Sequence, residues 1–124
     1  MIKNLIYIVI GGGFGSALRY LIQYAVHKNY PNAFPYGTFL VNIIGCFLVG
    51  LLISAVAKEK HMAQHLELLL IVGFCGGFTT FSTFAYEGNS LLGEGRIGYA
   101  FLYIGLSVLA GMLFAYLGFR LGKG

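Results

Sequence analysis

The chain has 124 residues, of which 58% are hydrophobic, 16% aromatic and only 10% charged, with a formal net charge of +4. Soluble domains average about 25% charged residues, and a water-soluble fold of this size could not hide so much apolar surface. This balance points to a lipid-embedded chain. It argues against nucleic-acid binding, because the basic residues Lys3, Lys28, Lys58, Lys60, Arg96, Arg120 and Lys123 are scattered at the ends of apolar segments, where long cationic side chains reach headgroups.

In chain order, the first apolar stretch runs from Leu5 to Val26. Its Lys3 and following apolar run resemble a secretory signal, but the run continues through Arg19 without an A-x-A-like site and reads as an uncleaved helix. Within it, Gly11-Gly12-Gly13-Phe14-Gly15 has no preceding strand to make it a phosphate loop. The Gly11-xxx-Gly15 spacing reads instead as a close-packing helix surface.

The second stretch runs from Gly37 to Ala57, after the Pro31–Pro35 turn. Thr38 and Asn42 lie four residues apart and so share one helical face. Asn42 carries two N–H donors and reads either as an interhelical hydrogen bond or as a lining for an anion.

The third stretch, Leu66 to Leu92, holds the densest polar set, Gly73 through Phe84. Paired glycines followed by paired threonines make a poor helix interior, which predicts a break. The competing reading is an unbroken helix using glycine to pack closely. Phe78, Phe81 and Phe84 recur every three residues and are expected near one face. They serve either ordinary packing or an ion, since a ring edge carries partial positive charge. Glu87 follows near the segment's end, and both it and Arg19 are expected toward the ends, facing water or protein, because a charge at mid-bilayer is costly.

The fourth stretch, Gly98 to Leu121, supplies Tyr103 and Ser107, again four apart. Each stretch is close to the roughly 20 residues needed to span a bilayer. The connections His27–Tyr36, Lys58–His65 and Gly93–Ile97 leave no room for a second domain. The expected fold is therefore all-α, one four-helix transmembrane domain over residues 1–124. Positive charge weakly favours the side holding both termini. Cys46 and Cys75 both lie in apolar runs and read as packing residues. No Walker A loop, metal-binding His/Glu cluster or nucleophile elbow is present.

Three blocks give the chain a likeness beyond composition. They are Gly11 through Tyr20, Gly37 through Gly45, and Gly73 through Phe84 with its Cys-Gly-Gly-Phe-Thr-Thr-Phe-Ser-Thr-Phe core, followed by Glu87. Over nearly its full length the chain resembles the Fluc/CrcB fluoride channels. The resemblance implies a multi-pass plasma-membrane protein that is not an enzyme: a passive fluoride exporter that lowers cytoplasmic fluoride toxicity. It further implies an antiparallel, dual-topology homodimer with a break in the third helix and two pores. Phe81 and Phe84 match the family's pore phenylalanines and Asn42 its pore asparagine. Thr38, Ser82, Thr83, Tyr103 and Ser107 match polar pore-side positions, and Arg19 matches a vestibule arginine. Glu87 is expected to gate or to pack. Gly76 and Thr79 match positions whose backbone carbonyls hold a structural sodium ion at the dimer interface. The fourth helix departs from the likeness: beyond Ser107 the same face carries Gly111 and Ala115, which offer no hydroxyl.

A rival class is the proton-coupled small multidrug transporter, which needs a carboxylate in its first helix. That helix here carries only Arg19. A non-transporting four-helix scaffold would explain the glycines but not polar residues on three apolar helices.

Overall fold

A computed structural model describes all of residues 1–124. The chain forms α1 (Ile2–Asn29), α2 (Tyr36–Val56), the short α3 (Ala63–Leu66), a π-helical segment (Glu67–Cys75), the single turn α4 (Gly76–Phe78), α5 (Phe81–Gly93) and α6 (Ile97–Lys123). Four of the resulting rods are long and apolar enough to cross a bilayer: α1, α2, the composite third span Ala63–Gly93, and α6. They outrun the expected stretches by a few residues, except that α2 stops one residue earlier, at Val56. Polar residues such as Lys3, Asn29 and Lys123 can continue a helix past the apolar run, because a backbone leaving the bilayer still satisfies its own hydrogen bonds.

Glycine sets the pairings. α1 packs on the π-helical segment and on α4, and α2 packs along α6. A Cβ at Gly11 would run into the Leu69 carbonyl, and one at Gly15 into the Phe74 carbonyl. On the other side of the bundle, a Cβ at Gly50 would strike the Ala115 carbonyl and one at Gly118 the Phe47 carbonyl. In lipid, helices gain little from hydrophobic segregation, so backbone proximity and van der Waals contact hold the pairs. Cys46 and Cys75 are free thiols, and Cys46 lies beside Gly111, which leaves room for its sulfur.

The segment between α1 and α2 contributes to the core. Phe34 tucks inward and packs with Leu91, Ala100 and Tyr103, its ring meeting that of Tyr103 edge-on at 5.5 Å. Between α5 and α6 the chain turns through Gly95, the one residue with positive φ (80°).

The third span is not a uniform helix. Thr79 (φ −87°, ψ 160°) and Thr80 (φ −150°, ψ 116°) are extended, while Gly76–Phe78 keeps a helical turn. This interruption separates Phe78 from the other two phenylalanines. The expectation that Phe78, Phe81 and Phe84 share a face is therefore corrected. Phe78 is 1% exposed and stacks on Phe74 at 5.7 Å, whereas Phe81 is 78% exposed.

The α2–α6 seam is testable. Gly118→Ala should destabilise the fold by about 1–3 kcal/mol, the usual cost of overpacking. Gly98→Ala, with no atom within 4 Å of the added methyl, should stay within about 0.5 kcal/mol. Denaturant titration in micelles, followed by helical circular dichroism, measures both.

Candidate functional site

The site is built around the two extended threonines. Leaving helical geometry frees backbone groups that hydrocarbon cannot solvate, so each needs a partner. Asn42, reaching across from α2, supplies both sides of one peptide bracket. Its Oδ1 accepts from Thr80 N–H at 2.8 Å and its Nδ2 donates to the Thr80 carbonyl at 3.1 Å. The Thr80 hydroxyl then caps α5 by accepting from Thr83 N–H at 3.1 Å, satisfying one of the orphan donors at a helix start. Thr79 turns its own hydroxyl back to the Cys75 carbonyl at 2.9 Å.

These diversions have a consequence for the carbonyls. In an unbroken helix, Thr80 N–H would return to Gly76 O and Thr83 N–H to Thr79 O. Here the first donates to Asn42 and the second to the Thr80 side chain. The Gly76 and Thr79 carbonyls thus both lose their helical donors. The Gly77 carbonyl between them is occupied: Arg19 Nε donates to it at 3.0 Å and Ser16 Oγ at 3.5 Å. Arg19 is half-buried against the interruption and so faces protein. Hard cations prefer oxygen ligands, so the carbonyls of Gly76 and Thr79 fit a small cation chemically. One chain offers two of them.

On the far side of the interruption, Phe81 and Phe84 open α5. Their rings are 5.7 Å apart and tilted by 48°. Phe84 in turn lies 5.1 Å from the ring of Tyr103 on α6. Tyr103 is fully buried and donates its hydroxyl to Glu87 Oε1 at 3.2 Å. Thr38, 2% exposed on α2, lines the same cavity as that carboxylate. Glu87 is half-buried and held by the Tyr103 hydroxyl. Ser82 is exposed, 3.4 Å from the Thr80 hydroxyl. Ser107 points a buried hydroxyl inward, and that oxygen has no partner within the chain.

Thr38, Thr83 and Glu87 line one side of a cavity of about 660 Å³ that extends past Tyr20, Gln23 and Tyr86 toward the α1–α2 connection. The structure thus brings Thr38, Asn42, Thr83, Phe84, Glu87 and Tyr103 into one neighbourhood around the start of α5. Ser107 stands one helical turn beyond Tyr103 on α6. Arg19 and Gly76 belong to the other side of the interruption. One polar residue of the cavity, Gln23 on α1, donates to the Thr38 hydroxyl at 3.1 Å. The sequence analysis missed it. The signal available was the one amide within the Leu5–Val26 apolar stretch, four residues past Arg19.

Known proteins similar in sequence over nearly the whole chain share one name. A Flavobacterium psychrophilum protein named "Fluoride-specific ion channel FluC" is 44% identical over 121 residues, covering 98% of each chain. A Bacteroides fragilis protein of the same name is 48% identical over 124 residues, 98% of this chain and 97% of that one. A third, from Chloroflexus aurantiacus, is 38% identical over 121 residues, 98% and 96% of the two chains. The sequence model of the family described as "CrcB-like protein, Camphor Resistance (CrcB)" matches residues 6–119, a stretch that contains all four spans and every residue of the site, and the chain belongs to that family.

Proposed function

We propose that this multi-pass protein of the plasma membrane is a fluoride-selective channel subunit that lets fluoride leave the cell passively and transforms nothing. The observation that carries the reading is the interrupted third span. The N-terminus of α5, with Phe81 and Phe84 at its opening, and the freed carbonyls at the end of α4 lie on either side of two extended residues. The near-full-length relatives named as fluoride channels support the same reading.

The physical problem is desolvation. Taking a bare ion into a medium of low dielectric costs on the order of 20 kcal/mol in the idealised Born limit. Half-helix N-termini at membrane depth carry partial positive charge and favour anions, while unwound carbonyls favour cations. In this proposal the ring edges of Phe81 and Phe84, the free N–H of Asn42 and the hydroxyls of Thr38, Ser82, Thr83, Tyr103 and Ser107 replace water around fluoride. Ring edges attract without a full charge, so the ion is held and can still leave.

Phe81 is exposed in the single chain and Gly76 is uncovered beside it. Both are explained if a second copy packs against this face. The proposed assembly is an antiparallel homodimer with dual topology, two pores, and a break in each third helix at the dimer axis. Two carbonyls from each chain, Gly76 and Thr79, would there hold a structural sodium ion. The ion would supply the positive charge those carbonyls lack. Arg19, by fixing the intervening Gly77 carbonyl, keeps its neighbours turned toward the axis and adds positive charge near the vestibule.

The test is fluoride efflux from proteoliposomes, read with a fluoride electrode. Wild type should release fluoride and retain chloride. Phe81→Ala and Phe84→Ala should each slow release at least tenfold, and conduction by both at the wild-type rate sinks the ring-edge role. Asn42→Leu leaves the Thr80 peptide unpaired and should cost on the order of 2 kcal/mol or more, seen as loss of folded dimer before any change in selectivity. Replacing sodium throughout by a bulky organic cation should weaken the dimer on size exclusion. An unchanged dimer and unchanged efflux would remove sodium from the proposal.

A further inference from the structure

Gln23 is a polar side chain on an otherwise apolar stretch of α1. An amide in that setting costs free energy unless it is hydrogen-bonded, and holding it in one rotamer costs side-chain entropy. The structure recovers this through one contact, Gln23 Nε2 to Thr38 Oγ1 at 3.1 Å. The contact exists because α1 and α2 approach closely here. A Cβ at Gly37, next to Thr38, would lie 3.1 Å from the Gln23 Cα and 3.4 Å from its carbonyl.

Thr38 has one hydrogen to give and two lone pairs to fill. A threonine inside a helix often turns its hydroxyl back to a carbonyl of the preceding turn, but Thr38 does not donate to any backbone oxygen. With the Gln23 amide on one lone pair, its hydrogen is free for the cavity that Gln23, Thr38 and Glu87 line. The Glu87 carboxylate there already receives the Tyr103 hydroxyl at 3.2 Å. The opposite orientation of the amide would set its oxygen against Thr38 and take the hydroxyl hydrogen away from the cavity. The amide is assigned by the donor contact it makes with Thr38.

We propose that Gln23 is a positioning residue for conduction: by donating to Thr38 it fills one lone pair of that hydroxyl and leaves its hydrogen to face the 660 Å³ cavity that Gln23, Thr38, Thr83 and Glu87 line. The inference rests on the fluoride-channel reading. It adds a residue that touches no ion in that reading and acts through Thr38. An anion arriving from the cavity meets a hydroxyl whose hydrogen is already turned toward it. Without Gln23 the hydroxyl rotates to the backbone or to water, and the oriented donor is lost.

The experiment is a double-mutant cycle on fluoride efflux from proteoliposomes, with folded dimer checked by size exclusion. Gln23→Met removes the donor at similar volume and should slow efflux about tenfold. Gln23→Glu, isosteric but unable to donate when ionised, should slow it at least as much, and it carries the test if the methionine variant does not fold. Thr38→Val should slow efflux as well, and adding Gln23→Met to Thr38→Val should slow it no further. Glutamate's repulsion of anions would persist in the Thr38→Val background, whereas its effect through the hydroxyl would not, so the two are separable. Efflux from Gln23→Met at the wild-type rate overturns the proposal. So does an equal slowing with and without the Thr38 hydroxyl, which would make Gln23 a packing residue. A wild-type protein that releases no fluoride removes the channel reading and this proposal together. Wild type that conducts while Gln23→Met matches it removes this proposal alone.

Discussion

A backbone inside hydrocarbon has no water to fall back on, and the Asn42–Thr80 bracket is where this chain answers that constraint. Two residues in the middle of a membrane span have left helical geometry. Each unpaired peptide group at that depth would cost several kcal/mol. Asn42 is suited to the task because its amide carries a donor and an acceptor side by side, matching the N–H and C=O of a single residue. Aspartate could only accept, and leucine could do neither. The Thr80 hydroxyl completes the repair by capping the helix that follows. The interruption is therefore a feature maintained by specific side chains, and what it exposes is defined by which groups those side chains leave free.

The rest of the bundle serves to deliver Asn42 and Arg19 to that place. α1 comes close enough for Arg19 to reach the Gly77 carbonyl because Gly11 and Gly15 lie against the backbone of the third span. α2 carries Asn42, and the Gly45 position beside it is filled by the methyl of Thr79, where a Cβ would not fit. A guanidinium at membrane depth is expensive. The carbonyl it meets had lost its helical partner, so two unfavourable groups satisfy each other. The same economy appears at Glu87, whose carboxylate is met by the buried Tyr103 hydroxyl of α6 rather than by a cation.

Much of the architecture is legible in the residues. Four apolar runs of spanning length, short connections and charges at their ends leave few alternatives, and the structure differs mainly by extending three of them into polar flanks. Thr38 with Asn42, and Tyr103 with Ser107, are legible because a spacing of four puts them on one face whatever the partner. The register of the phenylalanines misleads, since equal spacing implies a common face only if the helix is continuous, and Thr79 and Thr80 intervene between Phe78 and Phe81. The glycine pair drew attention to the third span, yet Gly76 and Gly77 stay helical and the threonines do not. The π-helical stretch Glu67–Cys75 carries no composition signal, because a wider helix differs from an α-helix in hydrogen-bond register and not in residue preference. Arg19's partner is a carbonyl, and a carbonyl exists at every position. Only packing decides which one is free.

Within one chain the two phenylalanines are not equivalent. Phe84 is enclosed by Tyr103 and the α1–α2 connection, while Phe81 projects outward, 78% exposed. If both rings serve one ion, as proposed, a single chain cannot place their edges around it symmetrically. Ser107 makes a similar demand, with a buried hydroxyl oxygen that finds no partner in its own chain, and buried polar atoms normally have one. Phe81 and Ser107 are therefore the two positions at which the proposed second copy would supply what one chain lacks.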